Sequence, residues 1–585
     1  MTRPLVYYVV SLFLGCLASL LLNESLIEGA VFAASFLIII FLTQDKRFSL
    51  LITSFFFMGI ISYNIYFNIN INSNSTLRVS DKKGYYFIAD CHGRKVTLKG
   101  NTSKLVLGSK IHAKGKFEKE NDYQRGIVGI FYINTYSLGK EDFTYKLYEI
   151  KNNIYTQFKS KIGEKNSSLV MSLAFGDTRY LTKSDNLTFL KLGVIHAVSV
   201  SGLHISLIYK ILEGVLGIQI AIVLSFVYVI FTGIQAPAVR AFFMILILKL
   251  SKIAFKNYDN LSSLSLAALV ILLWRPYYIL DLGFNLSFLS TLGILLFYNK
   301  IRRKLYQIPQ AISETLSLTL SAQIFSLPYI AFTLKNFGLG LISGNLFLLP
   351  LYSAIVVMGN LALIFSFSPP IFNVFCIFIN TIMTSIDGAN FILLKYCPPI
   401  YYLNFAEGLA FMMVFMSVLL YLRGYKKMKT LPVFIIILLF IQTYSIFPEV
   451  NFISSQYLDA IYLKYGNKSV LVCNYEDKGA TNLMNLKTTL RVDKVVTNPK
   501  SSCSVNFNKL EHFDIIKNRD NELLNLYYSF KNKNTIFTQA NVPENNLKVK
   551  SGYYDIIKVP SFNINDAADA NSSYIILLGI PIKIQ

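Results

Sequence analysis

The stretch Gly193-Val-Ile-His-Ala-Val-Ser-Val-Ser-Gly-Leu-His-Ile-Ser206 places two histidines and three serines in an otherwise apolar segment. At about 1.5 Å per residue, a helix from residue 193 to about residue 210 is long enough to cross most of a hydrocarbon core roughly 30 Å thick. Helical spacing then puts His196 and His204 about 80° apart on one broad face. Because unpaired polar groups are costly in hydrocarbon, they normally face a partner helix or a water-filled path. We therefore expect function in this segment.

Two interpretations remain open for the small residues of this stretch. Ser199, Ser201 and Gly202 are either close contacts between helices or part of a polar lining. The first interpretation explains the two histidines less well, because neither has an obvious local partner in the sequence.

The composition excludes a soluble globular protein and indicates a polytopic α-helical membrane protein. Of the 585 residues, 53% are hydrophobic, and the mean hydropathy is +0.47. Several runs of about 17 to 20 nearly uncharged residues have the length of membrane spans. The formal net charge of +23 reflects either basic cytoplasmic loops or a polyanionic partner, and the location of the charge decides between them.

Hydropathy and strand patterning divide the chain into five regions. These are N-terminal transmembrane helices (residues 1–71), a small β domain (72–144), an amphipathic helix at the membrane surface (145–166), a larger transmembrane domain (167–447) and an α/β region (448–585).

Basic loops predict the orientation of the chain. By the positive-inside tendency, the N-terminus and the loop with Lys46 and Arg47 are cytoplasmic, and the third span leads the chain outward. Later basic clusters fit about eleven or twelve crossings, with a short partial or re-entrant element at residues 168–176 and a last span at residues 431–447. The β domain and the C-terminal region are therefore predicted to be extracytoplasmic.

The β domain alternates polar and apolar residues in about five short runs, the size of an oligonucleotide-binding (OB) type barrel. Its basic residues outnumber its acidic ones by roughly two to one. Positive-inside bias does not explain basic residues on the outer side, so this charge favours a polyanionic partner. Tyr85, Tyr86, Phe117 and Tyr123 are either stacking platforms for bases or core residues.

Further polar residues occur inside apolar spans. The sequence Gln235-Ala-Pro-Ala-Val-Arg240 opens a span with a proline and an arginine, and the arginine must snorkel, pair or face water. Asn285, Gln323 and Asn345 add amides on later spans. A lining of amides, hydroxyls, imidazoles and a guanidinium suits a polyanion better than a cation, for which acidic rings are expected.

The cysteines and the histidines predict neither a cofactor nor a metal. No Cys-x-x-Cys or Cys/His zinc pattern occurs. A disulfide between Cys473 and Cys503 is a plausible pairing on the outer side, although connectivity cannot be deduced from sequence.

The transmembrane domain resembles the ComEC-type competence proteins, inner-membrane channels that pass single-stranded DNA into bacteria during natural transformation. The resemblance covers about residues 168 to 425, and the family also carries an OB-like domain before this core. The matching segments are Gly193 to His204, Ala174-Phe-Gly-Asp177, Phe231 to Ala241, Gly283-Phe-Asn-Leu-Ser-Phe288, Pro328 and Asn345-Leu-Phe-Leu-Leu-Pro350.

The resemblance implies a channel role for residues at its matching positions, and their intramembrane polarity adds others. The positions implied by the resemblance are His196, Ser201, Gly202, His204, Arg240 and Asn285. The positions added by polarity are Ser199, Gln235, Gln323 and Asn345.

The C-terminal region departs from the family, many members of which end in a metallo-β-lactamase-like nuclease. It begins similarly, with Tyr457-Leu-Asp-Ala-Ile-Tyr-Leu-Lys-Tyr, but Val495-Val-Thr-Asn-Pro-Lys-Ser stands where the His-x-His-x-Asp-His stretch is expected. Only one histidine, His512, occurs in this region. A two-metal nuclease needs several histidines and aspartates. We expect a shortened, inactive remnant of that domain, and no enzyme activity.

Three functions are compatible with the sequence. The first is a channel for single-stranded DNA in the bacterial inner membrane, working with membrane lipids, a separate DNA receptor, a cytoplasmic motor or helicase and a separate nuclease. No Walker-type phosphate-binding motif occurs, so any nucleotide-driven motor is another chain. The second is a small-solute transporter with His196 and His204 as proton relays, and the third is a non-functional relic of the DNA channel.

Overall fold

The computed structural model describes most of the chain. The described residues are 3–83, 86–102, 105–198, 201–398, 400–455, 458–475, 492–499, 502–508, 511–517, 524–531, 533–539, 555–559, 570–577 and 579–584, with positions 483, 486 and 490. They form two compact units, Met1–Tyr329 with Phe337–Ile400, and Ile330–Asn336 with Tyr401–Gln585.

Sixteen α-helices lie in the described ranges, and most are apolar. They are α1 Pro4–Glu24, α2 Leu26–Thr43, α3 Lys46–Phe67, α4 Phe143–Phe175, α5 Lys183–Lys191, α6 Ile195–Val198, α7 Gly202–Leu216, α8 Ile218–Phe231, α9 Ala236–Ile253, α10 Asn260–Trp274, α11 Leu282–Lys304, α12 Gln310–Thr333, α13 Leu341–Ile364, α14 Pro369–Tyr396, α15 Phe405–Leu422 and α16 Leu431–Thr443.

The helices confirm a multi-pass membrane protein. Within the described residues, eight are long and apolar enough to cross a bilayer, namely α1, α2, α3, α11, α12, α13, α14 and α15. Two shorter apolar helices, α8 and α10, accompany them. The span predicted at residues 431–447 is shorter than expected. Helix α16 ends at Thr443, because the chain turns into a β-strand at Ser445.

Helices α1 and α3 pack closely through small residues. A methyl group added at Gly15 would overlap the carbonyl of Phe56, and one added at Gly59 would overlap the carbonyl of Leu12. Lipid tails are as apolar as leucine, so helices in a bilayer associate mainly through such close packing. The two glycines thus explain how the N-terminal helices hold together.

The β domain is a closed barrel of five strands, as predicted. The strands are β1 Asn74–Lys83, β2 Tyr86–Cys91, β3 Arg94–Gly100, β4 Lys110–Glu118 and β5 Ile127–Leu138, in the order β1-β2-β3-β5-β4 with β4 closing onto β1. Strands β3 and β5 are parallel, and the other pairs are antiparallel. Alternate residues such as Leu77, Val79, Val96 and Leu98 fill the interior, as the two-residue period of a strand requires.

Helix α4 joins the barrel to the transmembrane helices. The sequence predicts an amphipathic helix at residues 145–166 followed by a separate re-entrant element, and α4 consists of two helical segments joined at a kink. It bends at Gly163, whose φ of 80° lies in the left-handed region that glycine tolerates. The half after the bend is largely buried, and it ends at Gly176 with φ 69°. The second segment lies where the sequence predicts the separate element.

Two short strands, β6 Asn336–Phe337 and β7 Tyr401–Tyr402, precede the C-terminal region. That region contains two β-sheets within the described residues. The first consists of β8 Ser445–Ser455, β9 Leu458–Gly466, β10 Lys468–Tyr475, β11 Lys494–Thr497, β17 Ala570–Leu577 and β18 Ile580–Lys583. Its strands lie in the order β11-β10-β9-β8-β17-β18. The second consists of β12 Ser502–Asn508, β13 Glu511–Lys517, β14 Leu524–Phe530, β15 Lys533–Gln539 and β16 Asp555–Val559, which lie in this order across the sheet. The parallel pairs β10 with β11 and β15 with β16 require crossover connections, as in α/β folds.

The expected disulfide between Cys473 and Cys503 is absent, since all six cysteines are free thiols. Cys473 is buried in β10, where its Sγ lies 3.7 Å from the carbonyl oxygen of Val496. Cys503 is on β12 of the other sheet. The structure therefore does not pair these two cysteines.

Asp142 connects the barrel to α4. It accepts hydrogen bonds from Nη1 of Arg78 on β1 at 2.9 Å and from the backbone N–H of Tyr145 in the first turn of α4 at 3.1 Å. The hydrogen bond from Arg78 holds the pKa of Asp142 at about 2, below its usual range. The carboxylate therefore serves at once as ion-pair partner and helix N-cap.

We predict that Asp142→Ala lowers thermal stability by about 1 to 2 kcal/mol, because cap and ion pair are both lost. Asp142→Asn keeps a capping side chain and should lose less. The contribution of the charge is present above the unfolded pKa of about 4 and disappears as the pH falls toward 2. Thermal unfolding in detergent at pH 7 and pH 3 measures both effects. Equal stability of the two variants at pH 7 would contradict the capping role, and an equal stability loss of Asp142→Asn at pH 7 and pH 3 would contradict the ion-pair role.

Candidate functional site

The segment of residues 193–210 is not one helix. Helix α6 ends at Val198, and α7 begins at Gly202 after the N-cap Ser201, whose ψ of 169° is extended. The backbone N–H of Ser201 donates to Nδ1 of His204 at 2.9 Å. His204 thus occupies the position that Glu or Gln takes in a capping box. The prediction of a continuous helix was wrong because serine caps helices well and a nearby side chain accepts its N–H.

This hydrogen bond determines the tautomer of His204. A backbone N–H can only donate, so Nδ1 is the acceptor and the neutral ring carries its proton on Nε2. The side chain is buried, with 1% of its residue surface exposed. His204 therefore has a structural function at the helix break.

Arg240 on α9 lies directly against the start of α7. A methyl group added at Gly202 would overlap Nη2 of Arg240 and lie 3.3 Å from Cβ of Ala241. No larger residue fits at position 202 unless the guanidinium moves. Glycine at this position thus allows the guanidinium to approach the N-terminal turn of α7.

The guanidinium makes few other contacts. Nη1 donates to the hydroxyl of Thr291 on α11 and lies 3.9 Å from Sδ of Met244, while Nε is buried without a partner. Among the described residues, no carboxylate pairs with Arg240. A cation beside a helix N-terminus, with no anion of its own, forms an electropositive position inside the transmembrane domain.

His196 lies on α6, across the break from His204. Its Nδ1 is 3.1 Å from the carbonyl oxygen of Gly193, and its side chain is exposed. Gly193 has a φ of 69° and leaves no room for a Cβ against Leu341 of α13. The two histidines therefore belong to different helices, and Ser199 lies outside the described residues.

Gln235 supports the entrance to α9. Its Nε2 donates to the carbonyl oxygen of Gly176 at 3.3 Å, just after α4. The next residue, Asp177, is buried and forms an ion pair with Arg179. The hydrogen bond from Gln235 to Gly176 thus joins the Ala-Phe-Gly-Asp segment at the end of α4 to the Gln-Ala-Pro segment at the start of α9.

The amides on later helices form contacts of their own, and no contact joins them to Arg240 in the described residues. Nδ2 of Asn285 donates to the carbonyl oxygen of Ile279 at 2.7 Å and to the hydroxyl of Tyr329 at 2.9 Å. Nδ2 of Asn345 lies 3.2 Å from Oγ1 of Thr319, and Gln323 accepts from Ser326 of its own helix at 3.2 Å. The structure thus brings together Ser201, Gly202, His204 and Arg240.

Sequence reasoning missed Thr291, which is 51 residues from the arginine it contacts. A hydroxyl in an apolar span is usually satisfied by its own helix, and Thr291 also donates to the carbonyl oxygen of Ser287. Ser287 and Thr291 lie one helical turn apart, and this pair of hydroxyls on one face was the signal that the sequence offered. Its partner was not predictable without the packing of α9 on α11.

The outer surface of β4 carries a row of cations. Along this strand exposed and buried residues alternate, and Lys110, His112, Lys114 and Lys116 all lie on the exposed side. Lys116 pairs with Glu118 at 2.9 Å, whereas the ion pairs of the described residues include neither Lys110 nor Lys114. Alternate residues on a strand are about 6.8 Å apart, so the row is a regular electropositive strip.

The aromatic candidates of the barrel have different positions. Tyr123 packs on Tyr63 and Phe67 of α3, and Phe117 is partly buried against the core. Tyr86 accepts a hydrogen bond from Nη1 of Arg125 at 2.9 Å. Tyr85 lies outside the described residues. Tyr123 and Phe117 are therefore packing residues, the alternative left open by the sequence.

A search for groups of three or more His, Cys, Asp or Glu residues placed to hold a metal finds none in the described part of the chain.

The comparisons with known proteins concern the transmembrane domain. The model of the family described as Competence protein matches residues 173–426. ComE operon protein 3 of Bacillus subtilis is 24% identical over 231 residues, which are 38% of this chain and 29% of that protein. An uncharacterized protein of Aquifex aeolicus is 30% identical over 154 residues, or 25% of this chain and 37% of the relative. No solved structure matches the chain.

A third relative is uncharacterized protein MG316 of Mycoplasma genitalium, 32% identical over 121 residues. The match covers 19% of this chain and 31% of that protein. The chain thus spans only about a third of the length of the curated relatives it matches.

We predict that His204→Ala destabilises the protein by about 1 kcal/mol, the usual cost of a lost helix cap, whereas His204→Gln keeps an acceptor for the Ser201 N–H and loses less. Thermal unfolding of the detergent-solubilised variants measures the difference. If both variants unfold at the temperature of the unchanged protein, the capping function of His204 is wrong.

Proposed function

We propose that this chain is a channel that passes single-stranded DNA across the bacterial inner membrane during natural transformation, because residues 173–426 match the model of the competence-protein family. The transported strand is a polyanion with one phosphate per nucleotide. The passage must therefore offer positive groups that are not already neutralised by the protein.

The observation that carries this proposal is the position of Arg240. Its guanidinium lies against the N-terminal turn of α7, has no carboxylate partner in the described residues and reaches the Thr291 hydroxyl. Guanidinium groups and helix N-termini are both common phosphate-binding elements. In our proposal each passing phosphate contacts Arg240 briefly, and the absence of a fixed counter-ion allows the next phosphate to replace it.

The broken helix supports the same function. A helix that stops inside the transmembrane domain leaves N–H groups of its first turn without intrahelical acceptors. Non-helical backbone at membrane depth is tolerated where it is buried in protein or lines a water-filled cavity. The break at Ser201 therefore suits a passage that holds water and a charged polymer.

The barrel is proposed as the collecting surface. Its β4 row presents cations to solvent, and a row of cations tracks the backbone of a single strand without sequence preference. We place the barrel and the C-terminal region outside the cytoplasm, with the N-terminus inside. DNA delivery then depends on a separate receptor, and the energy on a separate motor or helicase.

The C-terminal region is proposed to be a remnant of a metallo-β-lactamase-like domain without nuclease activity. The support is chemical: His512 is its single histidine, and it lies on β13 with Nδ1 3.0 Å from Oδ1 of Asn506. A two-metal centre needs more ligands than this region contains. The strand that is not transported is therefore left to a separate nuclease.

We predict that Arg240→Ala reduces uptake of labelled single-stranded DNA at least about 100-fold, since one charged contact per passing phosphate is lost from a low-dielectric site. Arg240→Lys, which keeps the charge but not the planar fork, should retain part of the uptake. Binding of duplex DNA at the cell surface should not change. Normal uptake by Arg240→Ala, inserted in the membrane in normal amount, would refute the channel assignment.

We predict that Lys110→Gln combined with Lys114→Gln weakens binding of single-stranded DNA to the full-length protein. The slope of log affinity against log salt should flatten by about 1.4, since each phosphate contact contributes about 0.7 on single strands. The control is Lys116→Gln with Glu118→Gln, which removes an ion pair without changing the net charge. An unchanged slope in the first variant excludes β4 as the DNA surface.

A further inference from the structure

A second charged contact joins α7 to α9 far from the helix break. Nζ of Lys249 on α9 forms an ion pair with Oε1 of Glu213 on α7 and lies 5.3 Å from the centre of the Tyr209 ring. The two charged side chains are 13% and 27% exposed, and Tyr209 is buried. This pair is thus shielded on both sides by the helices it joins.

The contacts between α7 and α9 occur in the same order along both helices. At the start of α7, Gly202 meets Arg240 and Ala241 near the start of α9. Eleven residues later on α7, Glu213 meets Lys249, nine residues after Arg240 on α9. Helices α7 and α9 therefore lie side by side and parallel, and α8 returns the chain between them.

One stripe of α7 makes all of these contacts. Gly202, Tyr209 and Glu213 are spaced by seven and four residues, which places them on the same face of a helix. The stripe faces α9 at Gly202, at the tyrosine ring and at the carboxylate. The two helices are thus in register along the full length of α7.

The ion pair restrains this register by charge at that end. Smooth apolar faces tolerate a shift of one helix along another, but separating two half-buried opposite charges in a low dielectric is strongly unfavourable. A slip of one residue moves a helix by about 1.5 Å and turns it by about 100°. Such a slip moves the Arg240 guanidinium away from Gly202, whose missing side chain leaves space for it.

We propose that Glu213 and Lys249 are positioning residues that hold Arg240 at the start of α7 by locking α9 in register. This inference rests on the proposed function only for its consequence for DNA uptake. Its structural part, the location of the guanidinium, stands independently of what the chain transports.

The test uses the full chain with three variants, Glu213→Lys, Lys249→Glu and the charge-swapped double variant. Each single variant brings two like charges together and should lower uptake of labelled single-stranded DNA about tenfold or more. The double variant restores opposite charges and should recover most of the uptake. Lys256→Glu is the matched control, because it makes the same charge change at an exposed position just after the end of α9.

A second measurement does not depend on DNA. In a chain otherwise free of cysteine, Thr291→Cys places a thiol under the guanidinium, and a water-soluble maleimide labels it slowly while Arg240 covers it. Labelling should accelerate in each single charge variant and slow again in the double variant. Single variants with unchanged labelling, or a correctly inserted double variant as fast as the singles, would overturn the proposal.

The two measurements separate the proposals. If labelling follows the ion pair but no variant changes DNA uptake, the positioning role stands and the channel function fails. If Arg240→Ala abolishes uptake while the charge variants neither label faster nor lose uptake, the channel function stands and the positioning role fails.

Discussion

Hydrogen bonding of polar groups in a medium without water is the constraint on which the transmembrane domain depends. The break between α6 and α7 frees backbone groups among buried apolar residues, and the imidazole of His204 satisfies the N–H of Ser201. The same break exposes a helix N-terminus to Arg240, for which Gly202 leaves space. One local hydrogen bond therefore allows a structure that a continuous helix of the same composition would not provide.

Helix α4 links the barrel to the buried core of the transmembrane domain. Asp142 and Arg78 fix its first turn to β1, and Tyr148 donates from its hydroxyl to the carbonyl oxygen of Ser80 at 3.1 Å. The second half of α4 is buried, and Gln235 reaches its end at Gly176. Helix α4 thus contacts the barrel at its first turns and the residues that precede α9 at its end.

The sequence predicted features that depend on residue periodicity and failed where a particular hydrogen bond or side-chain contact decides. Alternation of polar and apolar residues was sufficient for the closed barrel, and hydropathy for the long helices. Hydropathy is uniform across the helix break, so it gave one helix where Ser201 and His204 make two. Arg240 was singled out by its charge, whereas Thr291 was not, because its role follows from the packing of α9 on α11. Sequence order also does not reveal that Cys473 and Cys503 lie on β10 and β12 of different sheets.

The closure of the barrel limits how it recognises any ligand. With β4 paired to β1, its main-chain N–H and C=O groups are engaged around the ring, and no free edge remains for an incoming extended chain to join. Recognition falls entirely to side chains, which substitution alters one at a time without disturbing the scaffold. If the β4 row binds DNA as proposed, each lysine contributes separately to the affinity. Loss of one lysine then lowers the affinity by one contact, and a lysine gained elsewhere on the row restores it.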